Sequence, residues 1–260
     1  MNKHFYLDRP QTRYTFEPIE GCAFGCPYCN AFACSNDINN WDDWINPKII
    51  QVDVEDTLKE FELLNKKPPM MLDFIFVCST SDPFQSYTSE KVVRKSLDIL
   101  NNMLGLNTRL LTKGVIPNWI NKFPNNAIGI TIDTIERLNK TRSVGNIKSL
   151  REATGNGIYT IVSFQPFDLS VTDEQLCSTL EEFRFIRQIN FGILDNAPAK
   201  DFKRAFHLSD IVADFCIENK INFFNGSPRF NKASKRRLAK TFGVTKQIWY
   251  GDNISMAIGG

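Results

Sequence analysis

Short apolar and β-branched runs alternate along the chain with longer stretches in which apolar residues recur every three or four positions. YTFEPI (14–19), DFIFVCS (73–79), TRLLTK (108–113), AIGITI (127–132), IYTIVSF (158–164), QINFGIL (188–194) and INFFN (221–225) have the length and composition of strands. VEDTLKEFELLN (54–65), SEKVVRKSLDILNNML (89–104) and TDEQLCSTLEEFRFI (172–186) have helical spacing. Ser89 is the expected N-cap of the second helix, and Thr172 with Gln175 forms a capping box at the start of the third. Lys66-Lys67-Pro68-Pro69 stops the first helix, and TGNGIY (154–159) reads as a helix end followed by a tight turn. Strand–helix–strand repetition predicts parallel strands with right-handed crossovers. Six or seven such units predict an α/β fold of the partial (β/α)6-type TIM-barrel kind, with a doubly wound open sheet as the alternative. In parallel barrels reactive residues gather at the carboxyl ends of the strands, so those ends are where chemistry is sought.

At 260 residues, 42% apolar and 23% charged, the chain has enough apolar material for one large domain, and disordered and fibrous classes are excluded. No apolar run approaches the roughly 20 residues that cross a bilayer, and the start MNKHFYLDRPQ lacks the apolar stretch of a secretory signal, so a cytoplasmic protein is expected. The net charge of +2 is unevenly spread. Residues 226–260 hold seven basic residues and the single acid Asp252, giving +6, so residues 1–225 carry −4. This predicts a barrel domain over 1–225 and a basic extension over 226–260 that packs on the barrel or contacts substrate. The extension mixes cations with Phe230, Phe242, Trp249 and Tyr250, a composition suited to phosphates and bases, so a nucleic-acid or nucleotide-like substrate is expected. Two plainer readings stay open: KASKRRLAK as a solvated helix, and the aromatics as a plug for the open side of the barrel.

Seven cysteines, four of them within residues 22–34, do not make a secreted disulfide framework. Cys22, Cys26 and Cys29 form C-x3-C-x2-C, with Tyr28 just before the third. Three thiolates from one loop can hold three irons of a [4Fe–4S] cube and leave the fourth iron open to an amine and a carboxylate. Alternatively, Cys34 supplies a fourth thiolate and the loop is a closed zinc site. Cys177 and Cys216, in predicted helices, are expected in the core. His4 and His207 have no partner motif, and no P-loop, G-x-G-x-x-G or G-x-S-x-G occurs.

C-x3-C-x-aromatic-C directly after a first barrel strand resembles the radical S-adenosylmethionine (SAM) superfamily. CSTSDPFQ (78–85), RLLTKG (109–114) and ITIDTIERLNK followed by RSVGNIKSLREATGNGI are similar to strand ends of its spore-photoproduct-lyase-like branch. The matches span roughly residues 14–195. The resemblance implies a [4Fe–4S] cluster on Cys22, Cys26 and Cys29. It also implies reductive cleavage of SAM to methionine and a 5′-deoxyadenosyl radical, with electrons from an external donor such as flavodoxin or ferredoxin. It places Tyr28 near the adenine and Ser79, Thr80, Ser81 and Asp82 on the methionyl ammonium. Lys113 falls on the carboxylate, Thr131 and Asp133 on the ribose, and Gln165 on the adenine or the substrate. Plainer roles compete for several of these: packing for Tyr28, an Asp-Pro turn for Asp82, surface snorkelling for Lys113.

The branch's DNA-repair member has a cysteine near the second strand end that returns a hydrogen atom to the product radical. Cys78 is the corresponding catalytic candidate, although Cys-Ser-Thr-Ser-Asp is one residue longer than the branch's Cys-Thr-Ser-Asp. A one-residue shift in a strand reverses the face a side chain takes, and a buried thiol acting as a small apolar group is the competing account. Three functional readings remain open at this point: base repair or modification, radical epimerisation or rearrangement of a small metabolite or peptide, and a zinc-stabilised nucleic-acid-binding module.

Overall fold

The computed structural model describes residues 5–7, 14–29, 31–32, 40–65, 74–134, 141–192 and 201–225. The basic extension, Cys34 and His4 lie outside the described residues. Contacts divide the chain into two compact units, one formed by residues 1–129 with 156–158 and one by 130–155 with 159–260.

The first unit carries β1 (Phe5–Leu7), β2 (Tyr14–Phe16), β3 (Ile19–Glu20), α1 (Trp41–Trp44), β4 (Lys48–Ile49), α2 (Val54–Asn65), β5 (Ile75–Val77), α3 (Tyr87–Leu97) and β6 (Thr108–Thr112). Strand β1 is antiparallel to β2, while β2, β5 and β6 are parallel neighbours in chain order. The short β3 and β4 pair separately. Pro18, which cannot donate to a ladder, separates β2 from β3, so the predicted run 14–19 is two strands. The core stacks Phe5 edge-on against Phe16 at 5.0 Å, and Ile75, Val77, Val93, Leu97 and Leu110 are buried in the same unit. Each such side chain contributes about 1.5–3 kcal/mol through burial.

Helix α3 begins earlier than predicted. Ser86, not Ser89, is the N-cap: its hydroxyl accepts from the Ser89 N–H, and the two hydroxyls lie 2.8 Å apart. The helix continues into a π-helical turn over Asp98–Met103 before β6.

Strand β7 (Asn126–Thr131) is divided between the units, and β8 (Tyr159–Phe164), β9 (Gln188–Phe191) and β10 (Asn222–Asn225) belong to the second with α4 (Thr141–Gly155), α5 (Asp173–Glu181) and α6 (Phe202–Glu218). β8, β9 and β10 are parallel neighbours, again in chain order. The Thr172–Gln175 capping box forms as expected at α5. Thr160 on β8 bonds the α4 residue Thr154 at 2.7 Å, and Phe164 meets Phe183, just past α5, edge-on at 6.2 Å. Thr160, Val162 and Phe164 therefore face the helices, and strand alternation sends Ile161, Ser163 and Gln165 to the other face. Cys216 is buried as expected, but Cys177 is exposed. Leu176, Thr179 and Leu180 form the buried stripe of α5, and one position from Leu176 turns Cys177 about 100° away.

Seven parallel strands with helices between them make an α/β fold of the partial TIM-barrel kind. A doubly wound sheet reverses strand order midway, whereas here order follows the chain.

Candidate functional site

The first unit gathers its polar side chains at the carboxyl ends of β2, β5 and β6. The chain leaves β3 through Gly21, whose φ of +86° and close approach to the Trp44 carbonyl both exclude a side chain. The Cys22 N–H donates to that carbonyl at 2.8 Å, and Gln85 clamps the loop from the β5 side. Its Oε1 accepts from the Ala23 N–H at 2.5 Å and its Nε2 donates to the Gly21 carbonyl at 3.4 Å.

On this loop Cys22, Cys26 and Cys29 are free and partly exposed. Burial pushes the Cys22 thiol up to about 11, against N–H donors from Phe24 and Asp82 that favour the thiolate. Cys29 Sγ accepts from the Phe32 N–H at 3.4 Å. Lys113, just past β6, extends its ammonium to Cys26 Sγ at 3.2 Å and donates to the Tyr28 hydroxyl at 2.7 Å. The same ammonium lies 4.7 Å from the centre of the Tyr28 ring. The structure thus brings together three of the expected residues, Cys26, Tyr28 and Lys113 itself, at one cation. Surface snorkelling does not describe Lys113.

Among the described residues, no His, Cys, Asp or Glu side chains are grouped to hold a single metal ion. The loop's donor set is three soft sulfurs, each with a donor directed at it: the Lys113 ammonium at Cys26, the Phe32 N–H at Cys29, and the Phe24 and Asp82 N–H groups at Cys22. It fits an anionic iron–sulfur cluster, which such donors stabilise.

Asp82 is buried and turned inward. Its Oδ1 accepts from the Thr112 hydroxyl at 2.7 Å and the Phe84 N–H at 2.9 Å, and its Oδ2 from the Lys113 N–H at 2.6 Å. Burial raises its pKa and these bonds oppose the shift. The carboxylate therefore ties β5 to β6 and fixes the backbone of Lys113. Its bond to the Phe84 N–H is the Asp-Pro turn of the plainer reading, extended by two cross-strand bonds.

Cys78 ends β5 with φ +59°, a left-handed conformation uncommon for a side-chain-bearing residue, and is 2% exposed. Complete burial, then the nearby Glu17 charge, raises its thiol pKa well above the usual range; the Ser81 side chain faces it. Sequence reasoning missed Glu17, 7% exposed one residue past β2. Glu17 Oε1 accepts from the Ser79 N–H at 2.9 Å and from the Ser79 hydroxyl in a short bond; Oε2 accepts from the Thr80 hydroxyl at 2.9 Å. Burial raises the Glu17 pKa against these hydrogen bonds. The available signal was a lone carboxylate inside the apolar run YTFEPI.

In the second unit, Thr131 is partly exposed at the end of β7 and Asp133, 4% exposed, accepts from the Asp168 N–H at its backbone carbonyl. Gln165 follows β8 on the face away from the helices. Its Oε1 meets the Ser163 hydroxyl at 3.3 Å, and its amide lies over Gly192, where a Cβ would come within 2.7 Å of Nε2.

No family model and no curated protein match the chain. Solved structures do. A spore photoproduct lyase variant with bound AdoMet and dinucleoside spore photoproduct superposes with a TM-score of 0.52 at 13% identity, over 78% of this chain and 63% of that one. The chain has the fold of spore photoproduct lyase. Another lyase variant gives a TM-score of 0.55 at 12% identity, over 77% and 62% of the two chains. Streptococcus suis SuiB bound to S-adenosylmethionine gives 0.50 at 10% identity, over 72% and 45%. The chain thus spans less than two thirds of the length of these structures.

Proposed function

We propose that the chain is a radical SAM enzyme acting on a nucleic acid or nucleotide-like substrate, in base repair or modification. The observation that carries this reading is the C-x3-C-x2-C loop held at the β2, β5 and β6 ends, with the Lys113 ammonium 3.2 Å from Cys26 Sγ. The fold it shares with two proteins crystallised with SAM supports it.

Cys22, Cys26 and Cys29 would hold a [4Fe–4S] cluster. When bound, the cluster supplies the electron that divides SAM into methionine and a 5′-deoxyadenosyl radical. The chain's part is to seat SAM and keep water from the radical. Lys113, with its backbone tied to Asp82, presents a fixed cation for the methionyl carboxylate. Ser79 and Thr80, exposed at the β5 end, present hydroxyls for the ammonium. Tyr28 places an aromatic ring beside that cation for the adenine. Thr131 and Asp133 are assigned to the ribose and Gln165 to the adenine or substrate. Cys78 is assigned to hydrogen return, which requires an opening of its buried position.

The nucleic-acid substrate rests on the basic extension and on the dinucleoside in the lyase structures. The reductant would be a flavodoxin or ferredoxin of the cytoplasm. Among the described residues, no helix is long and apolar enough to cross a membrane.

The test is to incubate reduced, reconstituted protein with SAM and DNA or RNA carrying damaged or unmodified bases, in heavy water. Substrate-dependent 5′-deoxyadenosine with deuterium at a base position is the expected result. No 5′-deoxyadenosine under any condition contradicts the enzyme assignment, and its formation only with small metabolites contradicts the substrate class.

A further inference from the structure

We propose that Glu17 is the positioning residue that makes the β5 end selective for an ammonium group. The inference rests on the SAM reading above and adds a residue and a mechanism to it.

Glu17 is buried behind Ser79 and Thr80, which are themselves exposed. Its two oxygens are divided between them, Oε1 taking the N–H and O–H of Ser79 and Oε2 the O–H of Thr80 at 2.9 Å with the N–H at 3.4 Å. A free hydroxyl rotates to donate or accept as its ligand demands. Here both protons are committed inward to a carboxylate, which only accepts. The outward oxygens of Ser79 and Thr80 therefore offer lone pairs alone. They fit a ligand group that only donates, and an ammonium with three N–H bonds is that group.

The charge balance points the same way. These partners of Glu17 are neutral N–H and O–H dipoles, so a cation seated on the two hydroxyls supplies the opposite charge one atom away from the carboxylate. Asp82, the residue the motif itself offers as the ammonium's partner, spends its oxygens on Thr112, Phe84 and the Lys113 backbone. Recognition of the ammonium thus falls to the hydroxyls, with Glu17 acting through them.

Binding calorimetry on the reconstituted, cluster-loaded protein tests this with two nucleosides. S-adenosylhomocysteine carries the ammonium; 5′-methylthioadenosine lacks the amino-acid end. Glu17→Gln keeps the shape but turns one oxygen into a donor. It should weaken S-adenosylhomocysteine binding by about 10- to 100-fold, the scale of a charge-assisted hydrogen bond, and leave 5′-methylthioadenosine unchanged. Thr80→Val, which removes one acceptor and one hydroxyl donor to Glu17 while keeping the carboxylate, should give a smaller loss of the same kind. The double variant should be little worse than Glu17→Gln alone. Equal loss of both nucleosides, or unchanged S-adenosylhomocysteine affinity in Glu17→Gln, overturns the role of Glu17 while leaving the SAM reading standing. A cluster-loaded wild type that binds neither nucleoside overturns the SAM reading and this inference together.

Discussion

Two groups of buried polar side chains in this molecule differ in kind. Past the carboxyl ends of β2 and β5 two of the buried acceptors are carboxylates, Glu17 and Asp82, each raised in pKa by burial. At the amino ends of β8, β9 and β10 they are neutral. Asn222 Nδ2 donates to the Tyr159 hydroxyl at 2.7 Å, that hydroxyl donates to Gln188 Oε1 at 3.0 Å, and Gln188 Nε2 donates to Asn190 Oδ1 at 2.6 Å. The amide chain links one strand to the next and satisfies its members at no charge cost. The carboxylates retain a desolvation cost that neutral groups of the same shape would avoid. That cost is borne where hydroxyls and a lysine must be held in one orientation, which is what a ligand site requires.

Variants on the two sides sharpen the contrast. Asp82→Ala leaves the Phe84 and Lys113 N–H groups without their acceptor and should cost about 3 kcal/mol. Denaturant unfolding measures the loss. SAM binding should fall with it, because the Lys113 backbone is released; a stable variant with normal SAM affinity would break the comparison. Gln188→Leu interrupts the amide chain and should cost about 1–2 kcal/mol, with cluster content and SAM affinity unchanged. A loss of SAM affinity there would show that the amide chain is not purely structural.

The smallest effect is expected at the surface of the second unit, where Asp173 Oδ1 meets Arg204 Nη1 and Oδ2 meets His207 Nε2, both at 2.6 Å. The hydrogen bond from His207, then that from Arg204, holds the Asp173 carboxyl below its ordinary value near 3.8. A depressed carboxyl pKa adds stability above that ordinary value and loses it as pH falls through the folded one. Asp173→Asn should therefore lower Tm slightly at neutral pH, and the difference from wild type should vanish in acid. A difference that grows in acid would contradict the pairing.

The strands were legible because each is a short apolar or β-branched run between turn residues, and all seven parallel strands lie inside or within one residue of the predicted runs. Strand β1 was not, since its sequence does not alternate and it pairs only through β2. The Ser86 cap was missed because Ser86 and Ser89 are both suitable residues, and only geometry shows which accepts from the other. Within the site, cysteine spacing identified the loop, but the meeting of Lys113 with Tyr28 and Cys26 joins residues 85 and 87 positions apart. Glu17 offered a local signal, a lone carboxylate inside the apolar run YTFEPI, but its role was illegible for the same reason. Its partners lie 62 and 63 positions away, and the local run does not show which hydroxyls it meets. Cys177 shows the opposite error, a small apolar residue assigned to the core although its helix stripe excludes it.

The most direct measurement is the metal and sulfide content of the full chain after anaerobic reconstitution with iron and sulfide, beside the same measurement on Cys26→Ser and Cys34→Ser. The account predicts about four irons and four sulfides per chain, lost in Cys26→Ser and retained in Cys34→Ser. One zinc per chain, no bound sulfide and loss of that zinc in Cys34→Ser would contradict it.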